Sequence, residues 1–407
     1  MRSAWNGEKG DDRPFMNRNI QNNSRLLKPV ILSVSLVTMM NNSISTVLGN
    51  IKEAFPEAGT VELQCLVTFP MLTMTIFILV SGVLVNYLGS RKILLTGLFI
   101  YTISGTAPAV IHDFRLLLFS RLLLGLGLGL FFPLALGLIT DFYEGEERIN
   151  TMGQQFAVGN MGQTFALLAA GLLAVAGWRH SFLIYGLGGA IFILVLLFLP
   201  EPQKTRNEKK AKTAIAVNRK VLFVMAVMGF YNMVYITMFS NLSLVMKSHH
   251  IGTALTAGCA MSFMTFISMC SGMFFGKMYG RWREAVGVIS GLAIAGAFGI
   301  LISADNVGKI YAALILLGFG NAWIMPYGYY HASRVCSPDS AKFCLALTQA
   351  VVCVGSFVSP FAIEALKRLL SLGGERFPFA ASLAGMCMIN LLLIGYWIVV
   401  RKKGEKV

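Results

Sequence analysis

Apolar residues fall in twelve long runs separated by short polar breaks, at 29–50, 62–86, 92–111, 115–140, 151–176, 180–199, 220–246, 253–278, 285–303, 308–333, 342–366 and 378–400. A helix that crosses the hydrocarbon core of a bilayer needs roughly 20 predominantly apolar residues, and each run is about that long. Lipid offers backbone polar groups no partner, so such a run satisfies them internally as an α-helix. Only one break is long: Pro200 to Lys220, which holds Lys204, Arg206, Lys209, Lys210 and Lys212, divides the runs six and six. The pattern predicts an all-α polytopic membrane protein with twelve transmembrane helices. Its parts are a tail over 1–28, a first six-helix half over 29–199, a linker over 200–219, a second half over 220–400 and a tail over 401–407.

The fourth run carries more than hydrophobicity. Arg121, Gly125, Gly129, Pro133 and Gly137 recur every four residues, which places them in one slowly turning stripe along a helix. Glycine there admits a second helix at close range, and proline removes one backbone hydrogen bond and permits a bend. A guanidinium within an apolar helix must face protein, ligand or water. The stretch returns in the second half: Gly125, Gly127, Pro133 and Gly162 are matched by Gly318, Gly320, Pro326 and Gly355, each 193 positions later. Two similar halves are expected, each carrying the element once. Leu314 stands where the first copy has Arg121, so the halves differ chemically.

Composition agrees with this class. Charged residues are 13% of the chain and hydrophobic residues 56%, against roughly 25% charged in a soluble protein. The net charge of +15 reads as cytoplasmic loops beside anionic lipid rather than as a nucleic-acid surface. With both termini inside, the inner segments hold 25 lysines and arginines and the outer segments 8, so the positive-inside rule puts both termini in the cytoplasm of an integral plasma-membrane protein. The first 28 residues lack a short apolar core with a small-residue cleavage site, and no cleaved signal peptide is expected. The seven cysteines show no C-x-x-C spacing.

Between the second and third runs the chain reads Gly82-Val83-Leu84-Val85-Asn86-Tyr87-Leu88-Gly89-Ser90-Arg91-Lys92. This resembles the loop signature G-x-x-x-D-R-x-G-R-[KR] of the major facilitator superfamily, with Asn86 in place of the acid and Tyr87 in place of the first basic residue. Gly272, Gly276, Lys277, Gly280 and Arg281 form a looser echo in the second half. Arg121 with Gly125, Gly127 and Gly129 resembles the family's fourth-helix signature, and Gly177-Trp178-Arg179 with Phe182 its turn between helices five and six. The resemblance implies two pseudo-symmetric six-helix bundles around a central cavity and alternating access to a midplane site. It also implies a cytoplasmic latch at Gly82, Asn86, Gly89 and Arg91, with Asp141 or Arg148 as partner, weakened by the missing charge at Asn86. The helix-five proline of many drug/proton antiporters is absent from Gly159–Thr164.

On the same resemblance, helices 1, 4, 7 and 10 line the cavity, helped by 2, 5, 8 and 11. The candidate solute contacts are then Arg121, Asn41, Asn42, Gln155, Asn160, Asn232, Tyr235, Asn321, Trp323 and Tyr327. A polar side chain at membrane depth faces protein or cavity, so each serves either solute contact or interhelical bonding. Arg121 pairs with a solute carboxylate or with helix carbonyls; the 21 methionines and many phenylalanines point instead to an adaptable apolar pocket. Glu364 and His331 are the proton-coupling candidates. There is no H-E-x-x-H, G-x-S-x-G or Walker sequence, so neither an enzyme nor ATP-driven chemistry is expected. The expected function is secondary active transport of a small organic solute, an organic anion or an amphipathic drug-like compound, with protons as a possible coupling ion. The alternative is a transport-inactive solute sensor of the same fold. No cofactor, metal or nucleic acid is expected; the partners are solute and membrane lipid, and the chain is expected to act as a monomer.

Overall fold

The structure, a computed structural model, describes residues 24–143, 145–200, 219–335, 341–371 and 373–402. The side chains of Asn86, Asp141 and Arg148 lie outside the described part. The first half holds α1 (Ser24–Thr38), α2 (Leu48–Ala54), α3 (Thr60–Leu88), α4 (Ser90–Thr106), α5 (Phe114–Phe142), α6 (Gly145–Leu173) and α7 (Leu187–Phe198). The second holds α8 (Arg219–Ser248), α9 (Ala254–Gly272), α10 (Phe275–Trp282), α11 (Ala285–Ile302), α12 (Val307–Val335), α13 (Ala341–Leu369) and α14 (Phe377–Lys402). Among the described residues, eleven helical stretches are long and apolar enough to cross a membrane. The remaining expected span, 92–111, falls on α4, which has 17 residues and continues into a 3-10 turn at Ala107–Ala109.

Local sequence explains where helices start, stop and change pitch. Asp113 caps α5 by accepting from the Leu116 amide at 2.9 Å. Glu62 reaches back to the Gly59 amide at 3.0 Å at the start of α3. The first expected span is not one helix: α1 gives way to a 3-10 segment at Met40–Val47 before α2 resumes. That segment reads Met40-Asn41-Asn42-Ser43-Ile44-Ser45-Thr46-Val47, dense in side chains that bond nearby backbone and compete with the α-helical ladder. Thr46 Oγ1 bonds the Ser43 carbonyl at 3.0 Å in this way. The sixth span likewise begins as a 3-10 segment, Trp178–Gly186, before α7.

Within the first half α5 packs on α3 and α4, and α6 on α1; within the second, α12 packs on α9 and α11, and α13 on α8. Lipid removes the water-driven term between helices, so close van der Waals approach sets these packings. Glycine makes them possible. A Cβ on Gly125 would lie 2.1 Å from the Pro70 carbonyl oxygen, and one on Gly127 2.8 Å from that of Gly97. In the second half, a Cβ on Gly318 would lie 2.5 Å from the Met264 oxygen, and one on Gly320 2.7 Å from that of Ser290. A Cβ on Gly162 would collide with the Leu36 carbonyl oxygen, and one on Gly355 with that of Gly229. The sequence repeat is thus a repeat of backbone contacts. Gly137, the last member of the stripe, would meet nothing within 4 Å.

Gly355→Ala is expected to lower the melting midpoint of the detergent-purified protein by several degrees, as overpacking costs about 1–3 kcal/mol. Gly395→Ala, where a Cβ meets nothing within 4 Å, is expected to leave it unchanged or slightly raised, since alanine is favoured in helices by about 1 kcal/mol. Equal melting curves for both would contradict the packing account.

Candidate functional site

The halves meet through α6 on α9, α3 on α13 and α2 on α8. Their polar contacts gather at one end of the molecule, away from Pro200 and Arg219, which mark the linker end. Lys247 on α8 pairs with Glu53 on α2 at 3.1 Å. Ser243 Oγ donates to the Thr46 carbonyl at 2.7 Å and accepts from the Gly49 amide at 3.2 Å. Gln64 Nε2 donates to Asn241 Oδ1 at 2.6 Å. Ser262 Oγ bonds the Thr164 carbonyl at 3.0 Å, and Thr164 and Thr265 share a 2.8 Å hydroxyl contact. Gly171 and Gly258 bring α6 and α9 to backbone contact just beyond. At the linker end a Cβ on Gly82, Gly153, Gly272, Gly276 or Gly280 would meet nothing within 4 Å. Among the described residues, these polar contacts close the seam at the far end.

Arg121 lies inside the first half, fully buried. Its Nη2 donates to the carbonyls of Ser104 and Gly105 at 3.2 and 3.3 Å, and Nε to Ser120 Oγ at 3.4 Å. The guanidinium stands 4.9 Å from the Phe182 ring and 5.2 Å from that of Tyr185, within cation–π range. Tyr185 Oη in turn donates to the Asn41 carbonyl at 3.2 Å and accepts from Ser43 at 3.1 Å. Arg121 therefore ties α5 to α4 and, through Tyr185, to the 3-10 segment of the first span. Its hydrogen bonds among the described residues go to helix carbonyls and to the Ser120 hydroxyl. Its Nη1 has no hydrogen-bond partner among the described residues.

The expected solute contacts separate into those bonded within a half and those left half-buried. Asn41 is buried, with Nδ2 near Asn42 Oδ1 at 3.4 Å and the Val67 carbonyl at 3.5 Å. Gln155 is buried, and Asn160 bonds its own helix at Phe156. Asn232 bridges α8 to α13 through the Val352 carbonyl at 3.0 Å and Ser356. Asn321 accepts from Tyr231 at 2.8 Å, joining α12 to α8. Trp323 is buried and donates to the Ser271 carbonyl at 3.1 Å. Tyr235 is half-buried, its ring stacked on Tyr231 at 5.8 Å and edge-on to Phe239 at 5.9 Å. Residues 231, 235 and 239 thus form an aromatic ladder on one face of α8.

At the linker end Gly89 ends α3 with φ +83°, a conformation that favours glycine. Arg91 donates to the Leu196 carbonyl at 2.7 Å, at the end of α7. Tyr327 turns to Glu284, donating to its carboxylate at 2.6 Å; Tyr279 adds a 3.2 Å bond and His331 Nε2 lies 3.0 Å away. Burial alone would raise the Glu284 pKa; the contacts from His331, Tyr327 and Tyr279 outweigh it and hold the carboxyl below its usual range. Glu364 lies toward the far end, accepting from Arg368 at 3.1 Å. It lines a cleft of about 250 Å³ with Lys52, Gln64, Asn241, Lys367 and Glu375.

The Major Facilitator Superfamily model matches residues 30–360. The chain belongs to the Major Facilitator Superfamily. Among curated relatives, the quinolone resistance protein NorA of Staphylococcus aureus (strain MRSA252) is 23% identical over 299 residues, which cover 70% of this chain and 76% of NorA. Among solved structures, a mutant of the nucleoside transporter NupG superposes with a TM-score of 0.75 at 11% identity, covering 91% of this chain and 99% of that one. The D-xylose–proton symporter gives 0.75 at 15% identity, with 92% and 97% covered. These likenesses are of fold, and the superfamily is one of membrane transporters.

For a member of this superfamily, the residues that sequence reasoning passed over are those that join elements. Glu53, Lys247, Gln64 and Ser243 fasten the far end, and Glu284 anchors the corner before α11. Glu284 lies in a polar break, where an acid gives no hydropathy signal; its 193-residue spacing from Arg91 was the available clue.

Arg121→Ala is expected to lower stability by about 2–4 kcal/mol, the scale of lost hydrogen bonds from a charged donor. Arg121→Lys should recover less than half, since an ammonium lacks the planar fork. An unchanged melting midpoint for Arg121→Ala would contradict this bracing role. Gly89→Leu should also destabilise, through its positive φ, and Gly82→Leu much less; equal effects on thermal melting would remove the distinction.

Proposed function

We propose that the protein is a secondary transporter of amphipathic, drug-like organic compounds, working by alternating access with the linker end in the cytoplasm. In that orientation the described conformation faces inward. The observation that carries the substrate class is the commitment of Arg121: fully buried, it is bound to helix carbonyls and rings. The principal cation near the expected site is thereby engaged inside the first half. Tyr235, half-buried and backed by the buried rings of Tyr231 and Phe239, offers a platform of a different kind. Aromatic faces bind flat apolar bodies, and a few polar groups orient them. The similarity to NorA, a quinolone resistance protein, supports the same reading.

Proton coupling belongs to the proposal, with His331 as the stronger candidate because its side chain and that of Glu284 are each only 12% exposed. Glu364 is more open and has an exposed arginine beside it. Lys247–Glu53 and Gln64–Asn241 act as the outer gate, which must part when the far end opens.

The test is flux in proteoliposomes. Preloaded labelled quinolone-type or cationic dye substrates should exchange across the membrane, driven by a pH gradient and abolished by a protonophore. Tyr235→Ala should reduce the rate about tenfold, the loss of one aromatic anchor of ~1.4 kcal/mol. Exchange of small carboxylates alone would favour the organic-anion reading, and binding without exchange would favour the solute sensor.

A further inference from the structure

The corners that join the second span of each half to the third are built from opposite chemistry. Arg91 and Glu284 occupy equivalent positions, 193 residues apart. In the first half, the corner between α3 and α4 is tied by the Arg91 guanidinium to a carbonyl on α7. That group stays charged at every physiological pH. In the second half, the corner between α10 and α11 is tied by a carboxylate to an imidazole. Glu284 precedes α11 and its side chain is 12% exposed, as is that of His331 on α12. Two phenols, Tyr327 on α12 and Tyr279 on α10, donate to the same carboxylate.

The setting is enclosed on several sides. The His331 ring lies 4.4 Å from that of Tyr327, 5.6 Å from Tyr330 and 5.7 Å from Tyr396 on α14. Among the described residues, the titratable groups facing the pair are therefore Tyr279, Tyr327, Tyr330 and Tyr396, and phenols ordinarily release protons only near pH ~10. Lys277, Arg281 and Arg283, on and beside α10, are exposed. Against the effect of burial, the contacts from His331 and the two phenols favour the ionised carboxylate and hold the Glu284 pKa below its usual value. The other member of the pair is an imidazole, whose Nε2 lies 3.0 Å from the carboxylate.

We propose that Glu284 and His331 form a proton-binding switch at the linker end of the second half: proton uptake on His331 clamps the α10–α11 corner to α12, and proton release frees the corner. The sign follows from the charges. Protonated, the imidazole attracts the carboxylate at 3.0 Å; neutral, it loses that attraction, so the clamp is strongest below neutrality and weakens as pH rises. The Arg91 corner has no such dependence. The inference deepens the proposed proton coupling by giving it a place. Its test reads the protein without solute or gradient, so it stands or falls separately from the transport reading.

The measurement is hydrogen–deuterium exchange of the detergent-purified full chain at about pH 6 and about pH 8, with exchange times corrected for chemical rate. In the wild type, protection over 275–290 should fall about threefold or more from the lower to the higher pH, while 88–95 changes little. His331→Gln and Glu284→Gln should each show the same protection over 275–290 at both pH values. A wild type whose 275–290 segment is indifferent to pH overturns the proposal, as does a His331→Gln variant that keeps the wild-type dependence. Should neither variant purify folded, the wild-type contrast between the two corners decides.

Discussion

Backbone-to-backbone contact between helices is the constraint on which the rest of the structure depends. Gly162 at Leu36 and Gly355 at Gly229 bring helices together where no side chain fits. Gly125, Gly127, Gly318 and Gly320 do the same on both faces of α5 and α12. In lipid, where apolar burial offers no preference for another helix over a lipid tail, such contacts are what distinguish one packing from another. They hold the helices of each half to one another at main-chain distance.

The seam between the halves has different chemistry from the interiors. Inside each half, glycine and apolar side chains predominate. Across the far end, serine, threonine, asparagine and glutamine make a handful of hydrogen bonds, with the exposed Lys247–Glu53 pair at the rim. Bonds of this kind contribute roughly 0.6 kcal/mol each in a membrane protein, and an exposed ion pair about as little. A few such terms amount to a small free energy, on the scale that a ligand's differential affinity for two states can outweigh. Arg121 belongs to the interior: with Tyr185 and the Asn41 carbonyl it joins four elements of one half.

Much of this was legible in the sequence because it depends on length and on the absence of side chains. Apolar runs fix the spans, and a glycine at a backbone contact cannot be exchanged without cost, so the 193-residue repeat marked the packing. What depends on direction was not legible. Asn232, Asn321 and Trp323 lie at suitable depth for a cavity, yet their polar atoms turn to neighbouring helices. The run Asn41–Thr46 announced polarity at mid-span, but not that the helix would change pitch there. Glu284 escaped notice because a carboxylate in a loop is ordinary until the fold brings His331 and Tyr327 to it. The solute remains a matter of the site rather than of the fold.

The central claim is that the halves move as rigid bodies about the seam, one end closing as the other opens. The direct measurement is double electron–electron resonance in lipid nanodiscs, with spin labels at Glu57 and His249 across the far end, and at Tyr87 and Met273 across the linker end, all four exposed. Adding solute or changing pH should lengthen one distance while shortening the other, and a label pair within one half should keep its distance. End-to-end distances that change together, or an intra-half distance that changes as much as they do, would contradict the account.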